Sequence, residues 1–304
     1  MGILGRNRIL ASMSDEEIEF KSSADEIEPQ SDKTIVIEKL FFDRWNGAAL
    51  SSPLIKLRDI QLCIEKHKVK LSLLNMANFF KDLIRIRKSA NSNWPASVLQ
   101  NRYSARQVTG DGNCFEFIKM LPDQKEPFPE FLPPASPVEH CVQSLSVSAL
   151  AKKFGRNDES WLMAVTQSVQ LLETHFALYS SLKDEVINLD VFQASTKFGR
   201  AEIDGLAHLT TEILGQKTEH IIACEAKTMK EDVFPDQLRN QVLAIFNAHP
   251  TLNSIIPVCI KAAGVSKIRV VECMSIEREG NGQYEPKIAT DVTYLLCPFV
   301  PGIG

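Results

Sequence analysis

Three residues in the stretch 201–227 have the types and the spacing to do chemistry together. The stretch reads AEIDGLAHLTTEILGQKTEHIIACEAK and holds two apolar, strand-like runs, 201–209 and 220–227, with a turn between them. Residues two apart on a strand point to the same face, so Glu225 and Lys227 look the same way off the end of the second run. If the two runs pair as a hairpin, Asp204 joins them, and two carboxylates meet one ammonium. Glu202 shares the parity of Asp204 and is the alternative acid there. Two carboxylates hold a hard cation such as Mg²⁺, which takes oxygen ligands and keeps several waters. A metal-bound water is a stronger acid, and the metal offsets charge on a phosphoryl oxygen. A lysine beside it orients the attacking water or stabilises the transition state. The chemistry expected is metal-assisted hydrolysis of a phosphodiester. The plain alternative is an exposed hairpin with an ordinary surface ion pair, which contributes little.

Asp204 with Glu225-Ala226-Lys227 resembles the PD-(D/E)XK nuclease superfamily, and within it the type II restriction endonucleases. The resemblance covers the last half of the chain, from Asp158 onward, with Ile203 standing where the motif has proline. It implies a restriction-endonuclease-like fold, a mixed central sheet flanked by helices. It implies Mg²⁺ held by Asp204 and Glu225, with Lys227 positioning the nucleophilic water, and it favours Asp204 over Glu202. In that family a glutamate on the helix before the first catalytic strand often adds a metal contact, which makes Glu173 a third acidic candidate. A glutamine on the helix after the lysine can touch DNA, which points to Gln237. The implied activity is sequence-specific cleavage of double-stranded DNA, and a two-fold target favours a homodimer.

These residues need elements to hold them. Asn157 or Asp158 caps a long helix over 159–181, with Leu162, Val165, Val169, Leu172, Phe176 and Tyr179 as its buried stripe and Glu173 beside it. A strand is expected at 185–193 and a helix at 235–248, carrying Gln237, Leu238, Gln241 and Ile245. The runs 254–261 and 267–274 are continuously apolar, as strands covered on both faces are. Such alternation of strand and helix indicates an α/β (α+β) core over 139–304. Gly280-Asn281-Gly282 is a turn signal.

The first half divides by charge. Residues 11–33 carry eight acids against two bases, so 1–33 is expected to be a disordered tail or a loosely docked helix. Order is expected from Thr34. Between 51 and 110 eleven bases face three acids, the electrostatic footprint of a phosphate-backbone binder. We expect a mainly helical DNA-recognition region over 34–120, with helices at 53–66 and 73–88, the second capped by Ser72. The second ends in Arg85, Arg87 and Lys88, which suit phosphate contacts and also suit the helix dipole. Arg102, Arg106 and Gln107, in an expected loop, are of the types that read base edges. Six prolines between 121 and 138 mark a linker, or a loop laid over the surface of a single domain.

Other chemistries lack their motifs. There is no GxxxxGK[ST], GxSxG or HExxH, and the six histidines show no ligand spacing, so no nucleotide cofactor is expected. Lone histidines such as His175 and His208 are more often structural. The seven cysteines are scattered and form no CxxC, which fits a reducing, cytoplasmic setting rather than a zinc site or disulfide framework. No apolar run is long enough to span a membrane. The N-terminus lacks a secretory h-region, and Arg6 stands where a myristoylation pattern has Ser or Thr.

Overall fold

The structure, a computed structural model, describes residues 31–304 apart from 73–75, 77, 109–110, 200 and 279–283. Most of the acidic stretch, the start of the expected 73–88 helix and the expected turn at 280–282 therefore lie outside the described residues. The Ser31 hydroxyl accepts the Thr34 N–H at 3.2 Å and starts α1 (Asp32–Phe42). Then come β1 (Leu54–Lys56), α2 (Leu57–His67), α3 (Phe79–Ile84), α4 (Arg87–Asn93), α5 (Ala96–Gln100), β2 (Tyr103–Gln107) and β3 (Asn113–Lys119). The three strands form an antiparallel sheet in the order β1-β3-β2. Phe41, Phe80, Trp94, Phe115 and Phe117 are buried together between this sheet and the helices.

This region differs from its expectation in three places, each because a tertiary partner outbids local pattern. Residues 54–56 leave the expected 53–66 helix to pair with β3, Leu54 opposite Glu116. The expected 73–88 helix breaks at Ile86, which is extended, and the next N–H, on Arg87, goes to the Asp232 carboxylate at 2.7 Å. The expected loop around 101–107 becomes β2 because Tyr103–Gln107 pairs along β3. The region is thus helices on a small sheet.

The proline-dense segment is packed down. Phe128 is buried edge-on to Trp94, with ring centroids 5.1 Å apart, and its backbone N–H and C=O both meet the Asn91 amide. Leu132 is buried beside Val233 and Leu238. Residues 31–304 form one compact unit.

The second half follows in the order β4 (Val138–Gln143), α6 (Ala149–Lys153), α7 (Glu159–Ser168), α8 (Leu171–Leu178), β5 (Val186–Phe198), β6 (Ala201–Ile213), β7 (Gln216–Lys227), α9 (Pro235–Ala248), β8 (Ser254–Gly264), β9 (Lys267–Cys273), β10 (Ile276–Glu277) and β11 (Ile288–Cys297). The fold is mixed α/β with a central mixed sheet flanked by helices. Its strand order is β4-β11-β9-β8-β7-β6-β5, with β10 against β8. Pairs β7/β8 and β4/β11 are parallel, and the others are antiparallel. The hairpin, α9 and the two apolar strands stand where the pattern put them.

The expected 159–181 helix is two helices. Gln170 sits in the left-handed region at φ 53°, so α8 sets off in a new direction after α7. One side of the sheet, with Ile222, Cys224 and Ala226, packs on Leu162 and Val165 of α7 and Phe176 of α8. The other, with Ala223 and Ile255, packs on Val242, Ile245 and Phe246 of α9. His175 is fully buried in a polar network, with Tyr294 Oη 2.9 Å, Thr290 Oγ1 2.9 Å and Glu272 Oε2 3.3 Å from its ring nitrogens. All seven cysteines are free.

Candidate active site

The hairpin β6–β7 brings the three chemical residues together. Gly205 pairs with Cys224, which sets Asp204 beside the end of β7. Asp204 Oδ2 accepts the Ala226 N–H at 2.8 Å. Glu202, two residues away, is exposed, and its carboxylate stands 3.8 Å from the Lys197 amine. Asp204 is thus the acid that reaches across the hairpin. Glu225 and Lys227 are both buried and meet as a pair, Nζ to Oε1 at 2.7 Å.

Two more side chains complete the group. Glu159, the first residue of α7, accepts from Lys227 Nζ at 2.7 Å. Asp158 caps this helix by accepting the Trp161 N–H at 2.8 Å. Gly205 faces α7, where a Cβ would be 2.5 Å from Cε at the flexible end of Met163. Gln241 of α9 donates through Nε2 to Glu225 Oε2, and to the Glu202 carbonyl at 3.1 Å. With the Ala226 carbonyl at 2.9 Å, the Lys227 amine has three acceptors for its three donors.

Burial sets the charges against one another. It pushes the Glu225 carboxyl up to about 7, although the Lys227 ammonium pulls it down. Asp204 is also raised, by burial first and then by Glu159 and Glu202, while the Ala226 N–H opposes. For Lys227 burial works downward, but Glu225 and Glu159 outweigh it and hold the amine protonated well above its ordinary range.

The group lines a cleft of about 810 Å³. One wall is the end of the large sheet that carries Asp204, Glu225 and Lys227, with α9, and the other is α3 and the ends of β2 and β3. Arg85 closes one side by pairing with Glu231 at 3.2 Å, and Asn240 Nδ2 reaches the Gln107 carbonyl at 3.4 Å. Phe234, between β7 and α9, is buried in the core of the N-terminal region. Among the described residues, seven acids and four bases line the cleft, a balance opposite to that of the 51–110 segment.

No family model, curated protein or solved structure matches this chain.

Of the remaining sequence candidates, Arg85, Gln107 and Gln237 line the cleft. The Gln237 side chain also accepts the Phe234 N–H at 3.2 Å. Arg87 is drawn to Glu126 at 2.8 Å and Glu130 at 3.0 Å, and Lys88 is exposed away from the cleft lining. Arg102 donates to the carbonyls of Leu121, Pro122 and Gln124, and Arg106 pairs with Glu116 at 2.9 Å. Glu173 is not brought to the site. The break at Gln170 carries it onto α8, half-buried with Asp190 as its charged neighbour and absent from the cleft lining. The acid that a preceding helix does supply is Glu159. Its signal was its place next to the helix cap, and that of Gln241 was its position one turn beyond Gln237.

Among the described residues, no group of three or more His, Cys, Asp or Glu is arranged to hold a metal ion. The donors Asp204 and Glu225 nevertheless suit Mg²⁺, which binds through one or two carboxylates and fills its other positions with water and phosphate oxygens. The half-buried Asp204 and the buried Glu225, both raised by desolvation, are the charges such a cation would relieve. No helix among the described residues is long and apolar enough to cross a membrane.

Proposed function

We propose that this chain is a metal-dependent nuclease of the PD-(D/E)XK kind that hydrolyses DNA phosphodiester bonds. The observation that carries this is the meeting of Asp204, Glu225 and Lys227 at one end of the β6–β7 hairpin, inside a cleft. The mixed sheet, with the hairpin beside a parallel strand, supports the restriction-endonuclease-like reading of the fold. Asp204 and Glu225 would hold Mg²⁺, which supplies an acidified water and offsets charge on a phosphoryl oxygen. Lys227, kept cationic by its carboxylate neighbours, stabilises negative charge that develops on the phosphate. Glu159 and Gln241 fix where Lys227 and Glu225 point. The buried floor strengthens each of these interactions, because little water screens it.

Site-specific cutting of duplex DNA by a homodimer, the type II restriction reading, is a narrower form. Of its three base-reading candidates, Arg102 and Arg106 are engaged within the protein and Gln107 lines the cleft, so the broader form is the one proposed. Incubation with plasmid and Mg²⁺ tests both. Discrete fragments support the narrow form, and nicks or a smear support the broad one. Binding without any cutting, of plasmid or of a single-stranded oligodeoxynucleotide, would leave a DNA-binding protein with a nuclease-like fold. Lys227→Ala is expected to lower cleavage at least about 100-fold, the scale of losing one preorganised charge at a transition state, with DNA binding retained. A fully active Lys227→Ala protein would overturn the assignment.

A further inference from the structure

Among the described residues, six with amide side chains line the cleft: Asn78, Gln107, Asn113, Gln237, Asn240 and Gln241. Two of their oxygens, Asn113 Oδ1 and Gln241 Oε1, are shut off from water and have no hydrogen-bond partner among the described residues. Unpartnered acceptors are rare, and amide side chains along a cleft are of the type that accepts from a ligand's donors. The amino and imino groups of an unpaired nucleobase are such donors, and they are offered along the pairing edge only when the strand is single. In a duplex the bases show only groove edges.

Size and charge point the same way. About 810 Å³ falls in the range that takes a small ligand, roughly 300–1,000 Å³, and so a short run of one strand rather than a length of double helix. A duplex carries twice the phosphate charge of one strand per unit length, and among the described residues seven acids against four bases line the cleft. The covering wall is fixed in place. Phe234 is buried in its aromatic core, the Arg87 N–H is 2.7 Å from the Asp232 carboxylate, and Arg85 pairs with Glu231. Beyond that last pair lies a second cavity, of about 370 Å³, which shares Arg85, Glu159 and Glu231 with the first.

We propose that this cleft receives a single DNA strand with its bases unpaired, entering beside the Arg85–Glu231 pair, and does not admit an intact duplex. The inference rests on the nuclease reading above and names the substrate of that same site. Asn113 and the other amides hold the bases by their pairing edges. The phosphate between two bases then lies over Asp204, Glu225 and Lys227.

The test compares two substrates under one condition. A labelled single-stranded oligodeoxynucleotide and a relaxed, covalently closed circular duplex of matching sequence are incubated with the full chain and Mg²⁺. The expected result is cleavage of the oligonucleotide at least about tenfold faster per bond, the effect of about 1.4 kcal/mol in discrimination. Equal or faster cutting of the circle overturns this inference and leaves the nuclease reading standing. Cleavage of neither, with Mn²⁺ as well as Mg²⁺, overturns both. Asn113→Ala provides a second readout, by fluorescence anisotropy of the oligonucleotide in Ca²⁺. A loss of one hydrogen bond predicts about three- to tenfold weaker binding with an unchanged melting temperature. Unchanged affinity overturns the base contact, and Gln107→Ala repeats the measurement if the first variant fails to fold.

Discussion

Glu225 and Lys227 are held in opposite senses by one environment. The buried pair stabilises the charged amine, while desolvation presses the carboxyl toward its neutral form. For Glu225 the folded-state value, about 7, stands above the ordinary 4.5. The folded state therefore binds the extra proton between those values. Stability from this group is fully present below about pH 4.5 and is lost as pH rises toward 7. In chelator, the melting temperature of the wild type is expected to fall between pH 5 and 7.5 by a few degrees more than that of Glu225→Gln. Parallel curves for the two proteins would contradict the raised carboxyl. At this scale the grouping of the three residues was legible because strand parity alone aligns Glu225 with Lys227, and one turn brings Asp204 alongside. Glu159 and Gln241 were not, since each depends on where a separate helix packs.

At the scale of elements, α7 brings its first residue, Glu159, onto Lys227. The Asp158 carboxylate satisfies a free N–H of its first turn, at Trp161, and the Trp161 indole donates to the Pro301 carbonyl at 2.8 Å. Removing such a cap costs about 1 kcal/mol. Asp158→Ala is expected to lower the melting temperature by about 2–4 °C, seen by circular dichroism. It should also cost more activity than that small destabilisation explains, because Glu159 loses its anchor on Lys227. A variant melting as expected but cutting at the wild-type rate would deny α7 this role. The start of α7 could be read from its cap. Its end could not, because the apolar stripe from Leu162 to Tyr179 keeps helical period straight through the left-handed turn at Gln170. The same blindness joined α3 to α4, where the break depends on Asp232, far away along the chain.

At the scale of the whole molecule, the second half was read more fully than the first. Continuous apolar runs such as β8 and β9 announce a sheet covered on both faces, whereas β1 to β3 are short and owe their existence to one another. Charge misled in one respect. The 51–110 segment is basic overall, yet the part of it that faces the large sheet helps enclose a cleft whose described lining has more acids than bases. Apolar and polar contacts together join the halves: Phe234 leaves the loop after β7 and is buried among the N-terminal aromatics, only 6% exposed, alongside the Arg85–Glu231 pair and the Arg87 N–H on Asp232. Truncating a buried phenylalanine costs about 3–5 kcal/mol, through lost transfer energy and the cavity left behind. Because residues 31–304 are one compact unit, Phe234→Ala is expected to melt in a single transition at a lower temperature. Two separate transitions would mean that the halves are stable apart. In the cleavage assay the same change should loosen the wall over Asp204 and Glu225, so preference for an unpaired strand over closed duplex should narrow. If that preference stays as sharp while the protein is clearly destabilised, the cleft is not what excludes the duplex, and selection must lie in the bonds to the bases themselves.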